Sequence, residues 1–241
     1  SYLDRRFGPL PEYSSNEEVS PGTNVKIFRP RYMSFSSKKL AGFHTGNLSN
    51  FAFRRAVIRE ISKLNIQPDV IYGHFMYPSG YSAVIAAEQL NIVSIIGVGE
   101  SSFWTVAPMG EKVASMQIGR ASGVLAVSSH LSDMLKSDLN IPEDKIIVIP
   151  NGVNLEKFYP KKDRTEMCRE MGLPSDTFNI AYVGPCTEKK GFPQLRKAVD
   201  DLENTKLVFL GRAPLPPLDD KVVFAATVEH ERVADYLCAC D

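Results

Sequence analysis

The sequence predicts an α/β fold made of two doubly wound parallel sheets, and three observations carry that expectation. Short β-branched apolar runs alternate with helix-length stretches from residue 69 to 149. The alternation breaks at Pro150-Asn151-Gly152 and then restarts. The composition, 44% hydrophobic and 23% charged over 241 residues, suits a globular protein with one large or two small domains.

Residues 1–24 are rich in Pro, Ser, Gly, Asn and Glu and read as a loop or extended segment without periodicity. Residues 25–30 (VKIFRP) read as a short strand and 31–47 as irregular. Apolar residues at 48, 51, 52, 57, 58, 61 and 64 have helical spacing, with Arg54, Arg55, Arg59 and Lys63 on the other side. Strands follow at 69–74 (DVIYGH), 92–98 (NIVSIIGV without its first residue), 123–128 (GVLAVS) and 146–149 (IIVI). Between them lie helices at 81–90, 110–119 and 129–139, the last capped by Ser128 or Ser129. The run at 146–149 has the composition of a strand buried on both faces. Pro150 stops it, and Asn151-Gly152 predicts backbone at positive φ. Beyond, helices are predicted at 163–171, 193–202 and 232–240, and strands at 178–184, 206–211 and 222–225. Three strands are fewer than the about six of a full domain of this class, so the chain reads as an interior piece of a longer protein.

Charge and cysteines exclude several classes. The 28 basic and 28 acidic residues balance, so no overall field favours nucleic acid. No apolar run approaches the ~20 residues of a membrane span, and no signal-peptide core follows Ser1. Cys168, Cys186, Cys238 and Cys240 lack zinc-ligand spacing and read as reduced thiols, so a cytoplasmic location is expected.

In doubly wound sheets ligands bind beyond the carboxyl ends of the strands. After 69–74 comes His74, with Gly80 at a helix start; His74 either faces a cleft or is buried on a backbone carbonyl. After 92–98 come Gly99 and Glu100, where Glu100 is either a catalytic carboxylate or a solvated side chain. Phe103 and Trp104 stack on a ligand or pack beneath the loop, packing being favoured. After 178–184 come Lys189, Lys190 and Gly191 before a helix; free N–H groups and a lysine there make an anion site. Gly184 and Gly191 would let the backbone approach a phosphate closely. The alternative is a solvated lysine pair. His230 follows 222–225 as a ligand contact or an ordinary helix-start residue.

The order strand, Pro150-Asn151-Gly152-Val153-Asn154, then Phe158-Tyr159-Pro160 resembles the interdomain crossover of family 4 (group 1) retaining glycosyltransferases of the GT-B fold. The resemblance implies two Rossmann-like domains: residues 1–150 on the acceptor side, lacking the opening strand, a crossover at 151–160, and a truncated nucleotide-sugar domain at 161–241. It implies transfer of a sugar, with retention and without a metal, from a nucleotide diphosphate sugar to a carbohydrate or lipid-linked acceptor. No cofactor is implied beyond the donor substrate. Gly184, Lys190 and Gly191 match the family's Gly-Arg-x5-Lys-Gly phosphate motif, with Pro185 at the Arg position and Lys189 outside the pattern. Lys190 is implied as the catalytic diphosphate holder, with His74 and Glu100 as further catalytic candidates. His230 and Asn151 are candidate donor contacts. The second His of the family's His-x-His is kept as His74, whereas Tyr72 replaces the first and Val98 replaces a His near the reacting sugar. No Glu has another Glu eight positions on, so the family's Glu-x7-Glu is absent from the chain, and the piece by itself is expected to be inactive. Some members of the family dock on membranes through basic helices; Arg54, Arg55 and Arg59 would permit peripheral contact at the inner face, with a solvated face as the alternative. A non-catalytic sugar-nucleotide-binding protein and a nucleotide-sugar epimerase of the same fold are the rival readings.

Overall fold

The computed structural model describes residues 12–20, 22–34, 39–40, 43–44, 46–100, 103, 111–212 and 214–241. The chain divides into two compact units, Ser1–Asn151 and Gly152–Asp241.

The first unit begins with an antiparallel ribbon of β1 (Ser14–Ser20) and β2 (Thr23–Phe28). The sequence predicts only the second strand. In β1, SSNEEVS, no face is buried, so no period-2 signal exists to be read, and even Val19 is 62% exposed. Backbone pairing and Gly22, at φ 76 and donating its N–H to Glu18 Oε1 at 2.9 Å, make the hairpin. A two-residue ladder of β3 (Lys39–Leu40) and β4 (Phe43–His44) precedes α1 (Gly46–Lys63).

Then the predicted alternation appears: β5 (Val70–His74), α2 (Tyr81–Leu90), β6 (Val93–Val98), α3 (Glu111–Ile118), β7 (Gly123–Ala126), α4 (Ser129–Leu139) and β8 (Ile146–Val148). The four strands form one parallel sheet in the order β5-β6-β7-β8. Ile96, Val98, Val124 and Ala126 of the middle strands are fully buried against Val84, Ile118 and Leu135 from the helices. Each of these Val, Ile and Leu side chains contributes about 1.5–3 kcal/mol by leaving water. Ser128 caps α4, its Oγ accepting from Leu131 N at 3.2 Å, and Asn140 closes the helix in the left-handed region.

Two expectations about the crossover fail. The β8 strand is an edge strand with one neighbour, and Ile147 and Ile149 are half exposed, not buried on both faces. Asn151 and Gly152 are not among the positive-φ residues. The chain turns instead at Asn154, whose Oδ1 accepts from Glu156 N at 2.9 Å and Lys157 N at 3.2 Å.

The second unit holds α5 (Arg164–Met171), β9 (Phe178–Val183), α6 (Phe192–Asp200), β10 (Thr205–Leu210), β11 (Val222–Ala226) and α7 (His230–Cys238). Asp163 caps α5 by accepting from Thr165 N at 3.0 Å. The strands form a parallel sheet with β10 in the centre. Alternation along β10 serves both faces. Val208 and Leu210 pack with Met167, Cys168 and Tyr236, while Leu207 packs with Val199 and Phe209 against Phe192. Helices thus cover both faces of this sheet, as in a Rossmann-like domain. All four cysteines are free thiols. Among the described residues no helix is long and apolar enough to cross a membrane.

Candidate functional site

The three strands of the second unit are parallel, so the loops leaving β9, β10 and β11 emerge at one edge. They are hydrogen-bonded to each other. Gly184 N donates to Leu210 O at 2.9 Å, Gly211 N to Ala226 O at 2.9 Å, and Thr227 Oγ1 to Gly211 O at 2.8 Å. A Cβ on Gly211 would lie 2.0 Å from Gly184 O, so only glycine fits there. The sequence marks Gly211 merely as a strand end. Its close approach depends on the neighbouring strand, although a glycine directly after two successive strands was a readable sign.

The loop from β9 to α6 carries the predicted anion site. Gly184 takes φ 144 and Gly191 φ 77. Between them Glu188–Lys190 forms one tight helical turn, and Gly191 is the N-cap of α6, with Pro193 in its first turn. One expectation is corrected. The N–H groups of Lys190 and Gly191 are spent inside the turn, on Thr187 O at 3.1 Å and Glu188 O at 2.9 Å. Gly184 spends its own on the ladder. The glycines therefore supply backbone conformation, not donors. The amides without a partner among the described residues are those of Cys186, Glu188, Lys189 and Gln194. Lys189 and Lys190 are exposed, and neither ammonium has a carboxylate partner among the described residues. Tyr182 braces the loop from beneath. Its hydroxyl donates to Pro185 O at 2.9 Å and its ring stacks on Phe209 at 5.4 Å. Burial pushes the Tyr182 hydroxyl's pKa up, so it stays a donor.

Two further side chains reach this edge. Arg212, which sequence reasoning passed over, directly follows Gly211, is exposed, and has no carboxylate partner among the described residues. His230 opens α7 exposed, with the Phe158 ring of the crossover edge-on at 5.7 Å.

In the first unit, His74 and Glu100 follow neighbouring strands. His74 is exposed, not buried on a carbonyl; its Nδ1 lies 3.2 Å from Tyr72 Oη and its ring 4.2 Å from that of Phe75. Gly80 does not face open space: a Cβ there would meet Phe75 O at 2.7 Å and Ile96 Cγ2 at 2.8 Å. Glu100 is not solvated either. It is 9% exposed, Oε1 accepts from Met76 N at 2.7 Å and Oε2 from Gly99 N at 3.0 Å. Both oxygens are engaged in clamping the loop after β5 to the loop after β6. Val98 is fully buried and places no polar group at this edge. Phe103 packs on the core as favoured, while Trp104, Ser101 and Ser102 lie outside the described residues. Asn151 is exposed at the end of the first unit.

Known proteins resemble this chain in sequence and in fold. The family model described as Glycosyltransferase Family 4 matches residues 19–157. TuaC of Bacillus subtilis, named as a teichuronic acid biosynthesis glycosyltransferase, is 30% identical, covering 98% of this chain and 59% of that protein. The D-inositol 3-phosphate glycosyltransferase of Xylanimonas cellulosilytica is 28% identical over 79% of this chain and 53% of its own length. The chain thus spans somewhat over half the length of these two relatives. HepE of Anabaena, solved in complex with UDP, superposes with a TM-score of 0.64 at 16% identity, over 81% of this chain and 57% of that one. The fold is therefore GT-B, with two Rossmann-like domains, and with more than half of its residues matched the chain belongs to Glycosyltransferase Family 4.

Proposed function

We propose that the protein containing this chain transfers a sugar from a nucleotide diphosphate donor to an acceptor, with retention at the anomeric carbon and without a metal ion. The observation that carries this reading is the loop at 184–191, with two lysines and several amides that have no partner among the described residues, at the carboxyl edge of a parallel sheet. As the bond from sugar to diphosphate breaks, negative charge builds on the leaving phosphate. Fixed cations and N–H groups stabilise it without reorganisation. Lys190 holds the diphosphate as a point charge, Arg212 adds a second cation at the adjacent strand end, and His230 contacts the base. The complexes of HepE with UDP and with UDP-glucose support a uridine nucleotide as the donor class. The first unit holds the acceptor, and the protein works in the cytoplasm.

The experiment is Lys190→Ala in the intact protein, assayed with UDP- and GDP-sugars. Loss of donor turnover is expected; unchanged kinetics would sink the assignment. A sugar-nucleotide sensor is the second reading, favoured by Pro185 in place of the motif's arginine and by the burial of Val98. Saturable binding of UDP-sugar without transfer or hydrolysis would decide for the sensor.

A further inference from the structure

The first unit contains a further polar site, beside the turn whose Met76 N–H is held by Glu100. A cavity of about 390 Å³ opens between the start of α1 and the turn leading into α2. Its size lies within the ~300–1,000 Å³ of small-molecule sites. Its walls carry Asn47, Asn50, Phe51, Arg54, Tyr77 and Tyr81.

Asn50 is 7% exposed, and its amide nitrogen has no hydrogen-bond partner among the described residues. A buried donor left unpaired is unusual in a folded protein and calls for an explanation. The groups around it are arranged for hydrogen bonding. Tyr77 Oη donates to Asn47 Oδ1 at 3.3 Å, and Arg54 Nη1 donates to Tyr81 Oη at 3.2 Å. The rings of Tyr77 and Tyr81 stack at 6.5 Å. Burial pushes the Tyr77 hydroxyl up to about 12, so it keeps its proton at neutral pH. Arg54 is half-buried between the Phe51 and Tyr81 rings, at 5.3 and 5.8 Å from their centroids, and has no carboxylate partner among the described residues. Amides and hydroxyls alone would suit a neutral sugar; the guanidinium without an acid adds a demand for an anion.

We propose that this cavity binds a small polyhydroxylated anion, a sugar or polyol bearing a phosphate or a carboxylate, with its hydroxyls on Asn47, Asn50 and Tyr77 and its anion on Arg54. Calling that ligand the acceptor rests on the transfer reading above; the binding itself does not.

Calorimetric titration of the 241-residue chain with glucose 6-phosphate, glucuronate and glucose tests it. One of the anionic probes is expected to bind at least about tenfold more tightly than glucose. Which of the two does so distinguishes phosphate from carboxylate. Arg54→Gln is expected to bring that probe down to the level of glucose. Asn50→Leu, an apolar near-isostere, is expected to abolish binding, with its melting curve showing it folded; Arg54→Lys serves as a second, conservative variant and should retain part of the preference. The proposal is overturned if neither anion binds better than glucose, or if Arg54→Gln and Arg54→Lys both bind as the parent does. UDP titrations read the other unit separately. Loss of UDP binding in Lys190→Ala, with sugar-anion binding intact, upholds both readings. UDP binding unaffected by Lys190→Ala would fail the donor site alone, and loss of sugar-anion binding in Lys190→Ala would overturn the cavity proposal.

Discussion

The two sheets end in loops built on opposite principles. At the edge of the second unit, Lys189, Lys190 and Arg212 have no acid partner, and several loop amides no acceptor, among the described residues. At the edge of the first, the buried acid Glu100 spends both oxygens on backbone N–H groups. The first arrangement leaves charge for something outside the chain; the second turns charge inward to fix a shape. A charged residue near a strand end is therefore not in itself a binding residue. Its unsatisfied capacity is what separates Lys190 from Glu100, and the largest prediction tests that difference. Lys190→Ala should lower transfer in the intact protein by ~10²–10³-fold, the scale for losing one fixed donor to developing charge. Lys189→Ala, outside the motif's spacing, should cost less. Equal losses in both would show that net charge, not position, matters.

The next two variants probe the shape-fixing residues. Gly211→Ala forces a Cβ onto Gly184 O, a backbone atom that cannot turn aside. Overpacking of this kind costs about 1–3 kcal/mol or more, and the loop carrying Lys190 should move with it. Urea unfolding and UDP affinity should therefore fall together; a loss of stability with UDP affinity unchanged would show that the two loops are not coupled. Glu100→Ala removes the acceptor for two N–H groups, one of them buried, and should destabilise the first unit by about 2 kcal/mol. Its UDP affinity should match the parent's, because the lost clamp lies in the other unit. A variant of parental stability would remove Glu100 from the shape-fixing class and reopen it as a catalytic candidate.

How much of this was legible follows from the range of each interaction. The buried strands β6 and β10 announce themselves as apolar runs, because burial on both faces acts residue by residue. Ser128 is readable as a cap, because the bond reaches only three residues along the chain. Lys190 and Gly191 are readable through a local motif. What escaped is non-local or exposed. The strand β1 has no buried face to impose a pattern. The need for glycine at 211 comes from a residue 27 positions earlier, in the loop after β9. Glu100 is recognised as a clamp only when the loop after β5, which supplies Met76 N, is in place. Asn151-Gly152 misled because a pair that tolerates positive φ does not require it, and the turn was available three residues on at Asn154.

The smallest prediction sets Asp219 beside Glu100, since both are acids whose acceptor capacity is spent within the protein. Asp219 Oδ1 accepts from Arg196 Nη1, Lys221 N and Val222 N, each at 2.8 Å, bridging α6 to the turn before β11. The Arg196 hydrogen bond and then the Val222 amide hold its carboxyl down at about 2. The folded form therefore ionises more readily than the unfolded chain, where the value is ~3.9. Stability from this group is complete above that unfolded value and is lost as pH falls through about 2. Yet 41% of the side chain is exposed, and exposed ion pairs are worth only ~0–1 kcal/mol. Asp219→Asn should accordingly change stability little at pH 7 and flatten the loss of stability between pH 4 and 2 relative to the parent. Equal slopes would mean that Asp219 is not a source of acid sensitivity. If the slope change came out larger than the whole effect of Glu100→Ala, solvent exposure would not be what separates these two clamps, and the number of donors gathered on one oxygen would be.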